Sequence, residues 1–103
     1  MVGTFTRKRV EILVDSPLAP RIVAAAAAAG IAGYTLIPVQ SGSGRGGAWR
    51  RGDVSDAQNK SIFLTIASAE SAAKLVDSLA PHLESYGMLL TLSDVEVVRP
   101  ERF

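Results

Sequence analysis

Two apolar segments, "GYTLIPVQ" and "KSIFLTIAS", both read as strands, and residues 41–59 between them offer almost nothing that a core could bury. That interruption constrains the fold more than any other feature. It divides the chain into halves that run through the same kinds of element. In the first half, Val10, Ile12 and Val14 of "KRVEILVD" alternate, so residues 8–15 predict a strand with one apolar face. "SPLAPRIVAAAAAAG" predicts a helix, with Ser16 as its cap, Pro17 at its first position and Gly30 as its stop. The alanine run suits close packing of that helix on a sheet. Residues 33–40 predict a second strand, placed at an edge or a bulge by Pro38.

In the second half, residues 60–68 predict a strand and Ser68 opens a helix. Its stripe is Ala72, Leu75, Val76, Leu79 and Leu83, and Pro81 is expected to kink or restart it. "MLLTLSDVEVVRPERF" predicts a last strand, bent or bulged near Ser93 and Asp94. The order β-α-β-loop-β-α-β, with right-handed crossovers, predicts an α+β ferredoxin-like sandwich. Four antiparallel strands would lie under two helices, with a long loop between strands 2 and 3. The 103 residues form one domain, 1–103, with a flexible loop at 41–59. With 48% apolar residues and two helices to cover one face, part of the sheet is expected to pair with other copies.

Composition removes several classes of function. A formal net charge of +1 predicts neither a nucleic-acid binder nor a membrane binder. No cysteine is present, which excludes disulfides, thiolate metal sites and thiol catalysis. The first residues lack the apolar core of a signal peptide, and residues 22–40 are too alanine-rich and too interrupted to span a bilayer. A cytoplasmic location and no transmembrane segment are expected. The one histidine, His82, follows Pro81 and reads as an exposed polar residue. Asp53 and Asp56 read as solubilising, and Ser41 and Ser43 have no neighbouring base. No catalytic constellation and no metal-ligand spacing can be assembled, so no enzyme activity is expected.

The loop itself is the candidate site. "SGSGRGGAWRRG" contains five glycines in twelve residues, and glycine lets backbone N–H groups approach an anion. By itself a run of this kind is more often a flexible connector. Arg45 in the loop and Arg99 and Arg102 at the C-terminus supply guanidinium groups from two parts of the chain, which with amide donors suits a phosphate. Trp49, Arg50 and Arg51 suit a protein-docking patch. RNA binding on the open sheet would need exposed aromatics on the central strands, and Phe63 sits in a run that reads as buried.

"GIAGYTLIPVQSGSGR" resembles the junction between helix, strand and T-loop in the PII signalling proteins. "SDVEVVRPERF" is similar to their closing strand, which ends in paired arginines. "SYGMLLTLSDVEVV" resembles the PII-like branch linked to inorganic-carbon uptake and carboxysomes. The resemblance runs from Lys8 to Arg102. It implies a homotrimer that binds adenine nucleotides in the clefts between subunits. It further implies a loop that rearranges with the ligand and docks on a protein partner, such as a bicarbonate transporter or a carboxysome component; the switch expected here is ordering, by the ligand, of a loop that is mobile when free. Carried over, Gly33, Tyr34 and Thr35 would lie near adenine and ribose. Gly42, Ser43, Gly44 and Arg45 would wrap the phosphates, with Gly87 nearby and Arg99 and Arg102 reaching across the cleft.

Three departures from the family pattern shape the expectation. One extra residue separates Val39 from the "GSGR" run. "LESYGM" has Gly87 but no lysine, which lowers the electrostatic gain from a third phosphate. ADP or AMP is therefore expected to bind at least as well as ATP, with cyclic AMP and bicarbonate as further candidate ligands. Finally, Trp49 is the loop's one aromatic residue, so the tyrosine that some members modify is missing. The alternative is a ferredoxin-like trimeric interaction module with no nucleotide ligand.

Overall fold

The computed structural model describes residues 3–44, 47–50 and 59–98. A four-stranded antiparallel sheet carries both helices on one face, in the expected ferredoxin-like order. Its strands are β1 (Phe5–Asp15), β2 (Thr35–Pro38), β5 (Lys60–Ala67) and β6 (Leu89–Val97), arranged β2-β5-β1-β6. The helices are α1 (Ala19–Ala28) and α2 (Ala69–Leu79).

Alternation fixes the faces. Val10, Ile12 and Val14 on β1 and Phe63 on β5 have no exposed surface. They meet Ile22 and Ala26 of α1 and Ala72, Leu75 and Leu79 of α2 in one cluster. Register places Ile12 directly opposite Phe63 on one side and Leu90 on the other. Ala19 and Ala26 are the alanines of α1 that this cluster buries. The intervening residues leave Leu13, Ile62 and Leu64 half-buried on the open face, and Leu89 is 61% exposed there.

The ends of the elements follow backbone chemistry. Gly30 has φ +87 and closes α1. Its N–H donates to the Ala27 carbonyl at 3.0 Å, and Ile31 N–H donates to Ala26 at 2.9 Å. This is the paired-bond stop that a left-handed glycine allows. Ser68 Oγ accepts from Ser71 N–H at 3.1 Å and caps α2. Pro38 lies on the edge strand, where its missing donor costs no ladder bond.

Some local expectations are corrected. Ser16 does not cap α1. Ser16–Leu18 form a 3-10 turn, and the Ser16 hydroxyl instead meets that of Ser61 at 2.7 Å. Pro17 therefore starts the turn rather than the α-helix. Pro81 neither kinks nor restarts α2 but sits in a 3-10 turn, Ala80–His82, that ends it. No bulge interrupts β6 near Ser93: pairing with β1 runs unbroken from Phe5↔Val97 to Leu13↔Leu89, and Lys8 meets Asp94 at 2.6 Å.

The largest difference lies in the loop. Ser41–Gly44 (β3) and Gly47–Arg50 (β4) pair as an antiparallel hairpin, with Gly42 opposite Trp49. Glycine weakens a strand because it offers no side chain to pack. Here the missing side chain leaves room for the indole. A Cβ on Gly42 would lie 2.6 Å from Trp49 Cη2.

Candidate functional site

A cavity of about 570 Å³ opens where the closing turn of α1 faces the last residues of β5 and the first turn of α2. Gly30 to Thr35 form one wall, and Leu64 to Ser68 with Ser71 form the other. Thr65 ties the walls together. It is 3% exposed, and its Oγ1 donates to the Gly33 carbonyl at 2.6 Å. Tyr34 stacks on Phe63 with centroids 5.5 Å apart and planes 19° from parallel, so its ring is anchored on the core while 45% of the residue stays exposed.

No acid or base lines this cavity among the described residues. Aliphatic side chains such as Ile31, Leu64 and Ile66 share its surface with hydroxyls, one aromatic ring and backbone groups. Such a lining suits a flat, neutral, hydrogen-bonding group and gives a polyphosphate no countercharge.

The sequence-predicted residues divide between the two ends of the sheet. Gly33, Tyr34 and Thr35 line the cavity. Gly42, Ser43 and Gly44 do not; they form β3, beyond the far end of β2. Register shows the separation: Thr35 lies opposite Leu64 and Pro38 opposite Ser61, and Val39 N–H donates to the Lys60 carbonyl at 3.0 Å. From Lys60 to Ala67 an extended strand covers roughly 20 Å. Gly87, with φ +62, turns the chain into β6, whose Leu89 lies opposite Leu13. It therefore belongs to the hairpin end. Trp49 and Arg50 are at that end too, on β4. Arg45, Arg51, Arg99 and Arg102 lie outside the described residues.

The hairpin end is charged. Lys60 pairs with Asp15, and its Nζ stands 5.3 Å from the Trp49 ring centroid. Trp49 is half-buried and Arg50 exposed. The sequence reading missed Ser68, Ser71 and Thr65 as cavity residues. Ser68 had been legible as a helix cap. Nothing in the local pattern marks Thr65, whose partner is 32 positions away. Among the described residues, no His, Asp and Glu grouping could hold a metal, and no helix is long and apolar enough to cross a membrane.

The sequence pattern of the family described as nitrogen regulatory protein P-II matches residues 7–102. The chain belongs to that P-II family. Among curated proteins none matches it. Among solved structures, P-II likeness extends to CPII, a nitrogen regulatory PII-like protein from Thiomonas intermedia K12, bound to ADP, AMP and bicarbonate. That match has a TM-score of 0.86 at 23% identity and covers 100% of this chain and 98% of that one. CPII bound to ADP and bicarbonate superposes with a TM-score of 0.88 at 22% identity, covering 100% and 99%. A protein assigned to PII-like signalling, from Thermus thermophilus, matches with a TM-score of 0.81 at 26% identity and 98% coverage of each chain.

Proposed function

We propose that this P-II chain is a non-enzymatic sensor of adenine nucleotides, which reads ADP or AMP, together with bicarbonate, through its hairpin loop. The observation that carries the proposal is the neutral cavity beside Gly33, Tyr34 and Thr35, in a fold whose relative CPII was solved with ADP, AMP and bicarbonate. Base and ribose fit that uncharged lining. The phosphates need donors and positive charge, and among the described residues these lie at the other end of the sheet: Gly42–Gly44, Gly87 and Lys60. The distance of roughly 20 Å along β5 exceeds what one nucleotide diphosphate spans. One protomer therefore supplies half of each of two sites, and the site is completed where the cavity end of one copy meets the hairpin end of another. The apolar open face, with Leu13, Ile62, Leu64 and Leu89, supports the same association, a homotrimer being the arrangement that fits the family resemblance. Arg99 and Arg102 follow β6, which ends beside Phe5 at the cavity end, and are proposed to reach the phosphates across the join. Output passes through Trp49, Arg50 and Arg51 to a cytoplasmic protein partner in carbon metabolism, such as a bicarbonate transporter or a carboxysome component.

Calorimetry and thermal shift with ADP, AMP, ATP and cyclic AMP, each with and without bicarbonate, test the reading. A ligand that binds only the folded state raises the melting temperature. ADP and AMP are expected to raise it at least as much as ATP. Bicarbonate is expected to tighten ADP, and ADP to tighten bicarbonate by the same factor. No heat and no shift with any nucleotide would favour a trimeric interaction module instead.

A further inference from the structure

The face of the sheet that the helices leave open is apolar toward the hairpin end and cationic toward the other. Alternation along β1 turns Arg7, Arg9, Glu11 and Leu13 to that face, out of phase with the buried Val10, Ile12 and Val14. Register sets Leu13 between Ile62 and Leu89, Glu11 between Leu64 and Thr91, and Arg9 between Ile66 and Ser93. Arg7 comes next, opposite Val95.

The charges on this face do not balance. At the apolar end Lys60 pairs with Asp15. The Arg9 guanidinium is matched by Glu11, with Nη2 3.2 Å from Oε1. Asp94 and Glu96 of β6 lie in the opposite phase, where Asp94 meets Lys8 at 2.6 Å and Glu96 accepts from Thr4 Oγ1 at 2.7 Å. Arg7 forms no ion pair among the described residues. Its Nη1 donates to the Thr6 carbonyl at 2.8 Å, and its Nε–H is buried without an acceptor among the described residues. Among these strand residues, each chain therefore carries one guanidinium in excess on the open face.

That excess matters once the face is covered. Closed symmetry repeats every interface residue in each copy. Three copies that bury their open faces together gather three Arg7 groups in one enclosed space. Charges taken out of water without a partner are strongly destabilising, and like charges repel more as the medium becomes less polar. A guanidinium fork matches paired oxygens on a phosphate or sulfate. We infer that Arg7 from three copies forms a binding site for one doubly charged inorganic oxyanion, of the phosphate or sulfate kind, where the open faces meet. The site is incomplete in a single chain, is built apart from the cavity and the hairpin, and makes assembly depend on the ion. It rests on the trimer proposed above.

Sulfate or inorganic phosphate titrated into ADP-saturated protein tests the site, with chloride keeping the ionic strength constant. ADP keeps the added ion away from any nucleotide-phosphate position. Melting temperature and sedimentation velocity are both read. Low-millimolar sulfate or phosphate is expected to raise the melting temperature by several degrees and to hold the trimer together at lower protein concentration, and chloride is not. Arg7→Gln is expected to weaken the ion's effect about tenfold or more, the worth of one charge-assisted hydrogen bond. Glu11→Gln leaves Arg9 unmatched as well and is expected to tighten the ion severalfold, so the test survives if Arg7→Gln folds poorly. A trimer equally stable in all three salts, or an ion effect that both variants leave unchanged, would overturn the site and leave the trimer standing. A chain monomeric in every salt would remove trimer and site together. Absence of any ADP shift would remove the nucleotide reading alone, and the Arg7 and Glu11 variants would still decide this one.

Discussion

The central strands and the hairpin are both antiparallel ladders, and different forces hold them. β1 and β5 pair from Lys8↔Ala67 to Asp15↔Lys60, and Val10, Ile12, Val14 and Phe63 are wholly buried between that ladder and the helices. β3 and β4 pair from Ser41↔Arg50 to Gly44↔Gly47, and none of their described residues is buried. A two-stranded ribbon without an apolar face is marginal in water. The first ladder is fixed by area removed from water. The second is held by one ring, one cation and its own backbone bonds. That difference suits the roles proposed for them: a rigid half-site for a neutral ring system at one end, and a small, separable element that a ligand shifts at the other.

The strongest way to break this contrast is to damage the core and watch the hairpin. Phe63→Ala removes the largest wholly buried side chain and the ring on which Tyr34 stacks. It is expected to cost about 3–5 kcal/mol in denaturant unfolding. Acrylamide quenching of Trp49 fluorescence in the protein that remains folded is expected to stay at the wild-type level, because Trp49 is absent from the core cluster. A loss below about 1 kcal/mol would show that the sheet is not held by this cluster.

A smaller effect sharpens the contrast at the cavity. Thr65→Val keeps the shape but leaves the Gly33 carbonyl without its donor. Gly33 is exposed, so water takes over part of the bond, and the loss is about 0.5–1.5 kcal/mol, the net worth of one hydrogen bond. Chemical denaturation is expected to show that loss, and calorimetry a weaker affinity for ADP, since Gly33–Thr35 lose their tether. Unchanged stability would mean that water replaces the hydroxyl and that the wall is not braced by it.

Most of the core was legible because its signal is periodic. Val10, Ile12 and Val14 point one way along a strand, and Ala72, Leu75 and Leu79 recur along a helix, so alternation alone assigns their faces. Gly30 and Ser68 were legible because helix ends have their own chemistry. The hairpin was not. "SGSG" and "GAWR" carry no alternation and poor strand preference, and the one side-chain fit across the pair, the Trp49 ring over Gly42, leaves no periodic mark. Thr65 was hidden for a related reason, since its single bond crosses between distant segments. The departures at Ser16 and Pro17 share a cause: Ser16 found a partner on β5, and tertiary pairing displaced a local cap. The family resemblance named residues from both proposed half-sites, whereas register alone reveals that one protomer keeps the described ones at opposite ends.

The smallest expected effect is also the most discriminating. Trp49→Ala removes the hairpin's one large side chain, yet global stability is expected to change by less than about 0.5 kcal/mol, as for a surface substitution. Trp49 lies outside the cluster of residues that forms the core, so hairpin opening and global unfolding are separate events with separate free energies. Hydrogen exchange is the measurement that separates them. Amides of β3 and β4 are expected to lose their protection in the variant, whereas those of β1 and β5 keep the wild-type value. Were Trp49→Ala to lower the denaturation midpoint as Phe63→Ala does, the hairpin would be part of the cooperative core, and a nucleotide could not move it without straining the whole domain.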